Sequence, residues 1–226
     1  MKLSNDTLNV LKNFASINQG IMFKKGKTIK TVSGGKNVLA EATITEEIPI
    51  DFGVYDLNNF LSVLSLHKEE PLLEFESNDV LISGLKGRSK IKYRFCAAHM
   101  IVVPPEKPIN MPDAEISFDI SAEDFDWVLR AANVLSSPNI VVESDGDKVY
   151  VTTTDMVNSS AHTDSLEIAD GNGDTYRMIF KTENFKMLSG GYEVKISSKG
   201  ISHFKHKTVN IQYWIATETG STFTKA

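Results

Sequence analysis

Apolar residues at Leu3, Leu8, Leu11, Phe14, Ala15 and Ile17 fall on one face of a helix, and Ser4 stands where its cap belongs. Gly20 closes that element. Ile21–Val32 and Val38–Ile44 then read as strands around Ser33-Gly34-Gly35-Lys36, the pattern of a β-hairpin. Phe52–Tyr55 feeds a second helical pattern: Asp56 can cap it, Leu57, Phe60, Leu61 and Leu64 share a face, and the pattern fades near His67-Lys68. Leu72–Glu76, Val80–Ser83 and Lys90–Ala97 are short strands separated by polar turns. Prolines 104, 105, 108 and 112 exclude helix and central strand from Met100–Pro112, which predicts an extended connector. Ile101, Val102 and Val103 make it apolar, so it should lie against the protein.

The order of elements then repeats. Phe118–Ile120 leads to Ser121-Ala-Glu-Asp124, a capping-box pattern, and to Phe125, Val128, Leu129, Ala132 and Leu135 on a helical face. Setting Ser4 on Ser121 places Leu8 on Phe125, Leu11 on Val128 and Ala15 on Ala132. A hairpin follows, Ile140–Glu143 and Lys148–Thr154, and Asp170-Gly-Asn-Gly-Asp174 reads as a turn. Ile179–Leu188 echoes the second strand-to-helix pattern when Asn184-Phe185 is set on Asn59-Phe60. Tyr192–Ser197, His203–Lys205 and Val209–Ala216 close the chain as strands. These patterns predict an α+β protein of two similar domains, residues 1–110 with most of the connector and 111–226, each with two helices packed on antiparallel sheet.

Composition adds boundaries rather than chemistry. The 226 residues, 41% hydrophobic and 23% charged, suffice for one large or two ordinary domains. No window approaches the roughly 18 uninterrupted apolar residues of a membrane helix, so no membrane association is expected. The first six residues contain no apolar signal core, and the single Cys96 suits a reducing compartment. The net charge of −5 argues at first against an anionic partner. It is unevenly spread: residues 1–110 carry 14 basic against 12 acidic side chains, and 111–226 carry 10 against 17. Unlike halves of one chain can attract head to tail between copies.

No catalytic constellation emerges, so neither an enzyme activity nor a cofactor is expected. Gly26-Lys27-Thr28 has the wrong spacing and context for a phosphate loop. His203 and His206 would point to opposite faces of a strand, while His67, His99 and His162 stand alone and read as surface residues. Asp170–Asp174 lacks the downstream Glu of a calcium loop, Cys96 reads as packing, and Glu46-Glu47 and Glu69-Glu70 read as solvated surface. Two charged features remain. Lys86, Arg88, Lys90, Lys92 and Arg94 alternate with other residues, which gives a strand with either a solvated basic face or a partner contact. Lys12, Lys68, Arg130, Lys181 and Lys186 sit on the polar sides or ends of the four expected helices, and would add to a basic stripe if those helices lined one surface.

Met1–Met22 and Tyr55–Leu66, read residue by residue, resemble the DNA polymerase sliding clamps of T-even-type bacteriophages. The resemblance implies two clamp-type domains and a head-to-tail homotrimeric ring round duplex DNA, with helices inside and sheets outside. It implies a processivity factor in the cytoplasm of an infected bacterium, with a clamp loader, the C-terminal peptide of a replicative polymerase and late-transcription proteins as partners. DNA would be held without sequence readout by Lys12, Lys68, Arg130, Lys181 and Lys186. Subunits would meet where Lys90, Lys92 and Arg94 face Asp164 or Glu167. The partner peptide would sit under the connector, among Val38, Leu39, Ile101, Val102, Val103, Tyr213 and Ile215. The alternative is a monomeric two-domain β-rich adaptor that binds peptides and has no DNA function.

Overall fold

The computed structural model describes residues 1–67 and 71–226. Backbone contacts divide the chain into two compact units, Met1–Lys107 and Pro108–Ala226. Among the described residues no helix is long and apolar enough to cross a membrane.

The first unit opens with α1 (Asn5–Ile17), and Ser4 Oγ accepts from the Thr7 amide as its cap. Glu46 completes that cap by accepting from the Ser4 amide and the Thr7 hydroxyl, so it is a helix anchor rather than solvated surface. Strands β1 (Ile21–Phe23), β2 (Gly26–Val32), β3 (Val38–Ile48) and β4 (Phe52–Val54) follow. β1 pairs with β4 and β2 with β3, all antiparallel. Lys36 takes a φ of 58° in the β2–β3 turn. Asp56 Oδ1 accepts from the Asn59 amide at 2.9 Å and starts α2 (Leu57–Ser65). Leu57, Phe60 and Leu64 are its buried face, and it packs against α1.

A three-stranded antiparallel sheet, β5 (Leu72–Phe75), β6 (Asp79–Gly84) and β7 (Ser89–Arg94), completes the unit. β7 ends at Arg94 rather than at Ala97. There the backbone changes partner, from Asn78, which accepts the Phe95 amide, to Gly53, which accepts the Cys96 amide. His67 is not a surface residue: it is buried, and a side chain on Gly84 would collide with its ring.

The second unit starts with β8 (Ile116–Ile120) and α3 (Ala122–Val134), where Ser121 Oγ accepts from the Asp124 amide at 3.1 Å. Next come β9 (Asn139–Asp145), β10 (Lys148–Thr154), β11 (Asp164–Asp170) and β12 (Thr175–Lys181). The last strands are β13 (Tyr192–Ser197), β14 (Ile201–His206), β15 (Ile211–Ala216) and β16 (Thr222–Thr224). One sheet runs β11-β10-β9-β12-β16, and β15-β14-β13-β8 lie side by side in another. Phe125, Val128 and Ala132 of α3 join Ile140, Val142, Phe180, Tyr192 and Phe204 in the core.

The fourth expected helix is absent. After β12 the chain makes one 3-10 turn, Thr182–Asn184, and then runs irregularly to Tyr192. In the alignment on α2, Lys181 takes the place of the capping Asp56 and makes no capping bond. Gly190 and Gly191 fall where α2 has Ser65 and Leu66, and Gly190 has a φ of +151° that no helix uses. Other partners take the backbone instead: Pro138 O accepts the Thr182 amide and the Tyr213 hydroxyl accepts the Leu188 amide. The fold is therefore α+β with three α-helices among the described residues, two in the first unit and one in the second.

Candidate docking groove, edge strands and basic residues

The start of the connector is anchored on the first unit. Asn18 Nδ2 donates to Val32 O at 2.9 Å and to Val102 O at 3.0 Å, tying the connector to the end of β2. Ile101 is buried beside Gly20 and Gly53, where an added Cβ would lie 3.3 and 3.1 Å from its side chain. Between this segment and β1–β2 opens a cavity of about 590 Å³, lined by Met22, Thr28, Ala98, Val103, Pro104 and Pro105 and edged by Lys24, Lys25, Lys27 and Lys30 with one carboxylate, Glu106. Lys24 pairs with Asp51 at 3.0 Å and Lys30 with Glu41 at 2.6 Å. The Asp51 carboxylate holds the Lys24 ammonium above its ordinary range. The Lys25 amide and the Lys24 side chain hold Asp51 below the usual carboxylate range. Apolar walls with a rim in which Lys25 and Lys27 outnumber Glu106 suit an apolar segment that carries carboxylates.

β7 is one edge of its sheet, opposite β5, and β11 is one edge of its sheet, opposite β16; the two carry opposite charge. On β7, Lys90, Lys92 and Arg94 share the exposed face. Lys92 is held within its own hairpin by Asp79 at 3.0 Å and Glu76 at 3.6 Å. Burial pushes the Asp79 carboxyl up, but Lys92, Glu76 and Arg94 outweigh it and keep it below the carboxylate range. On β11, Glu167 and Asp170 share Lys148, each at 2.8 Å. Asp164 lies on the other face and accepts the Trp127 indole N–H at 3.0 Å.

The helix cations are dispersed over different elements. Lys12 is exposed on α1, and Arg130 is exposed on α3, where its Nε donates to Asp126 O at 3.3 Å. Lys181 ends β12 half-buried, and Lys186 is exposed in the irregular stretch behind it.

These surfaces belong to a chain whose residues 4–103 match the family described as DNA polymerase processivity factor, and whose residues 117–219 match the C-terminal part of the gp45 sliding clamp. The chain belongs to the phage sliding-clamp family. It is 34% identical over 224 residues to the sliding clamp of Vibrio phage KVP40, spanning 96% of this chain and 99% of that one. It is 36% identical over 229 residues to that of Enterobacteria phage T4, spanning 98% and 99%. Among solved structures, a PCNA2–PCNA3 complex from Sulfolobus tokodaii superposes with a TM-score of 0.68 at 14% identity, over 96% of this chain and 99% of that one. The H. pylori beta clamp superposes at 0.71 with 12% identity, over 97% and 66%. At such identities the agreement is one of fold, the two-domain clamp fold.

Within this clamp-family chain the expected site residues are partly redistributed. Val103 lines the groove; Val102 is exposed beside it, and Ile101 is the buried anchor. Val38 and Leu39 are enclosed in the first unit, and Tyr213 and Ile215, both 0% exposed, are core residues of the second. Those four offer a peptide no accessible side chain. Met22 and the lysines of the β1–β2 segment were missed, because alternation marks a strand's faces but not what lies across from them. Lys181 and Lys186 are not helical, and Lys68 lies outside the described residues. Gly26-Lys27-Thr28 is the start of β2. His206 Nδ1 accepts from the Thr208 and Val209 amides at 3.1 Å each, while His203 stacks on Trp214.

Proposed function

We propose that three copies of this chain close head to tail round duplex DNA and hold a replicative polymerase on its template, with no catalytic step and no cofactor. The observation that carries the ring is the pair of open, oppositely charged edges, β7 and β11, one in each unit. Two unpaired edges of one chain form a heterologous contact, which closes a ring when its rotation closes. The two halves, 1–110 and 111–226, are the two clamp domains of each subunit. Lys90 and Arg94 supply the basic side of the contact and Glu167, which shares Lys148 with Asp170, the acidic side, whereas Lys92 acts mainly within its own hairpin.

Lys12, Arg130, Lys181, Lys186 and Lys68 attract phosphates without reading sequence, so topology rather than affinity retains the ring. The connector groove takes the C-terminal peptide of the polymerase, its apolar side chains between Met22, Val103 and Pro104 and its carboxylates toward Lys25 and Lys27. A clamp loader opens the ring, late-transcription proteins are further partners, and the work is done in the cytoplasm of the infected bacterium. Family membership over both halves removes the ground for a DNA-free adaptor.

The test is retention on DNA. Loaded clamp should stay on a nicked circle and leave the same DNA within minutes of linearisation. Equal retention on both forms would overturn the ring. Light scattering on free protein should give three times the 25.0 kDa chain at high concentration, and Lys90→Glu with Arg94→Glu should shift it toward monomer.

A further inference from the structure

The stretch from Phe185 to Gly191 belongs to no helix or strand, so other groups must hold its backbone. The Leu188 amide donates to the Tyr213 hydroxyl at 3.1 Å, and the Leu188 carbonyl accepts the Tyr192 hydroxyl. The Ser189 hydroxyl donates to both carboxylate oxygens of Asp126 on α3, at 2.8 and 2.9 Å. The Gly191 carbonyl accepts the Lys207 amide at 2.9 Å. The Ser189 carbonyl goes to a side chain that can change its charge: Nε2 of His206 lies 3.2 Å away.

Both nitrogens of that ring are engaged, and their partners decide which one carries the proton. The Thr208 and Val209 amides each approach Nδ1 to 3.1 Å. A backbone amide can only donate, so Nδ1 presents its lone pair and holds no hydrogen. The ring proton is therefore on Nε2 and is donated to the Ser189 carbonyl. The ring is buried, and Tyr192 meets it edge to face at 5.0 Å. Gly190 makes the room: a Cβ there would lie 2.1 Å from Nε2, so the imidazole fills the space of the missing side chain.

A proton on Nδ1 would turn the acceptor shared by two amides into a third donor. The surroundings offer nothing to offset that. Glu193, Lys195, His203 and Lys205 stand on the other face of β13 and β14. Asp119 pairs with Lys207 at 3.0 Å, and Asp126 takes the Ser189 hydroxyl. Lys186 adds a positive charge on the stretch itself, and burial pushes the Tyr192 and Tyr213 phenols up, so both stay neutral. Among the described residues no carboxylate bonds to the ring.

We propose that neutral His206 is a one-proton latch that holds the Phe185–Gly191 stretch against the β14–β15 turn, and that its protonation releases both. The Thr208 and Val209 amides then lose their acceptor and the Ser189 carbonyl its donor. The stretch is left to its ties to α3, Tyr192 and Tyr213. The latch is a property of a single copy; only its consequence for DNA, that it sets where Lys186 stands, rests on the ring reading.

The test is residue-resolved NMR on the full chain. At alkaline pH the nitrogen signals of His206 should show a bare Nδ1 and a protonated Nε2. As pH falls, exchange protection of the Lys207, Thr208 and Val209 amides, corrected for intrinsic exchange, should drop about tenfold or more in step with the charging of His206. Protection of Val142, in the middle of its sheet, should stay constant. His206→Asn keeps an acceptor for the turn amides but has no proton to gain, so its protection should not depend on pH. A proton on Nδ1 at alkaline pH, or protection unchanged as His206 charges, would overturn the latch. So would a ring that stays neutral down to acid unfolding, or a loss that persists in His206→Asn. None of these outcomes bears on whether three copies form a ring.

Discussion

α2 and the stretch that answers to it in the second unit begin alike, each with a strand that feeds an Asn-Phe pair, and end differently. In the first unit Asp56 caps a nine-residue helix and Phe60 is enclosed. In the second, Lys181 caps nothing, the helical turn stops at Asn184, and Phe185 remains half-buried against Phe180 and Phe204. Similar apolar spacing is therefore not enough: a short helix needs a satisfied first turn and a continuous backbone at its far end. The consequence extends beyond the stretch itself, because a unit without its second helix leaves a flank of its first helix open.

The largest test of that contrast is the aligned pair of phenylalanines. Phe60→Ala should destabilise the chain by about 3–5 kcal/mol in denaturant unfolding, and Phe185→Ala should cost clearly less, since it is already partly solvated. Equal losses would mean that the two stretches are equally packed. Gly190→Ala comes next. Its new Cβ would collide with the His206 ring on a backbone at φ +151°, and a cost of about 2 kcal/mol follows from strain alone. The alanine variant should also lose the His206–Ser189 contact, visible as a shifted imidazole resonance.

Removing the α2 cap with Asp56→Ala should cost about 1 kcal/mol, whereas Lys181→Ala, at the aligned position, should not change stability measurably through capping. A helix gain in Lys181→Asp by circular dichroism would show that the cap alone decides and that Gly190 does not stop the helix.

The smallest effect concerns the edges. Asp79 is held below its ordinary value of 3.8, so the stability it contributes is present above that pH and lost as pH falls through its depressed value. Asp79→Asn should therefore flatten the acid limb of a melting-temperature curve below pH 3.8. Lys92, raised by the same contact, loses its contribution as pH climbs through a value above 10.5. Lys92→Gln should flatten that alkaline limb. An unchanged pH profile in both variants would mean that Lys92 is free for a neighbour after all.

Much of the molecule was legible because its signals are local. Ser4, Asp56 and Ser121 are caps whose oxygens satisfy amides three residues on, and the structure has all three in that role. The β2–β3 and β9–β10 hairpins follow from alternation broken by turn residues. The connector's apolar character announced contact, and Ile101 makes it. The docking groove was only half readable: Val103 could be named from the connector, but Met22 and the lysines opposite come from a segment about 80 residues earlier. Glu46 and His67 looked like surface for the same reason, since Ser4 and Gly84, which define their surroundings, are distant in sequence.

The sequence by itself determined where helices start, where strands alternate, that the chain repeats, and which family it resembles. Each of these is written in neighbouring residues, within reach of a side chain or one helical turn. Only the tertiary structure decided that residues 181–191 are not a helix, that Lys92 is paired at home, and that Trp127 stands open where Val10 is closed. An apolar position states a preference for burial without naming what will bury it, and whether a covering element exists is set by the rest of the fold.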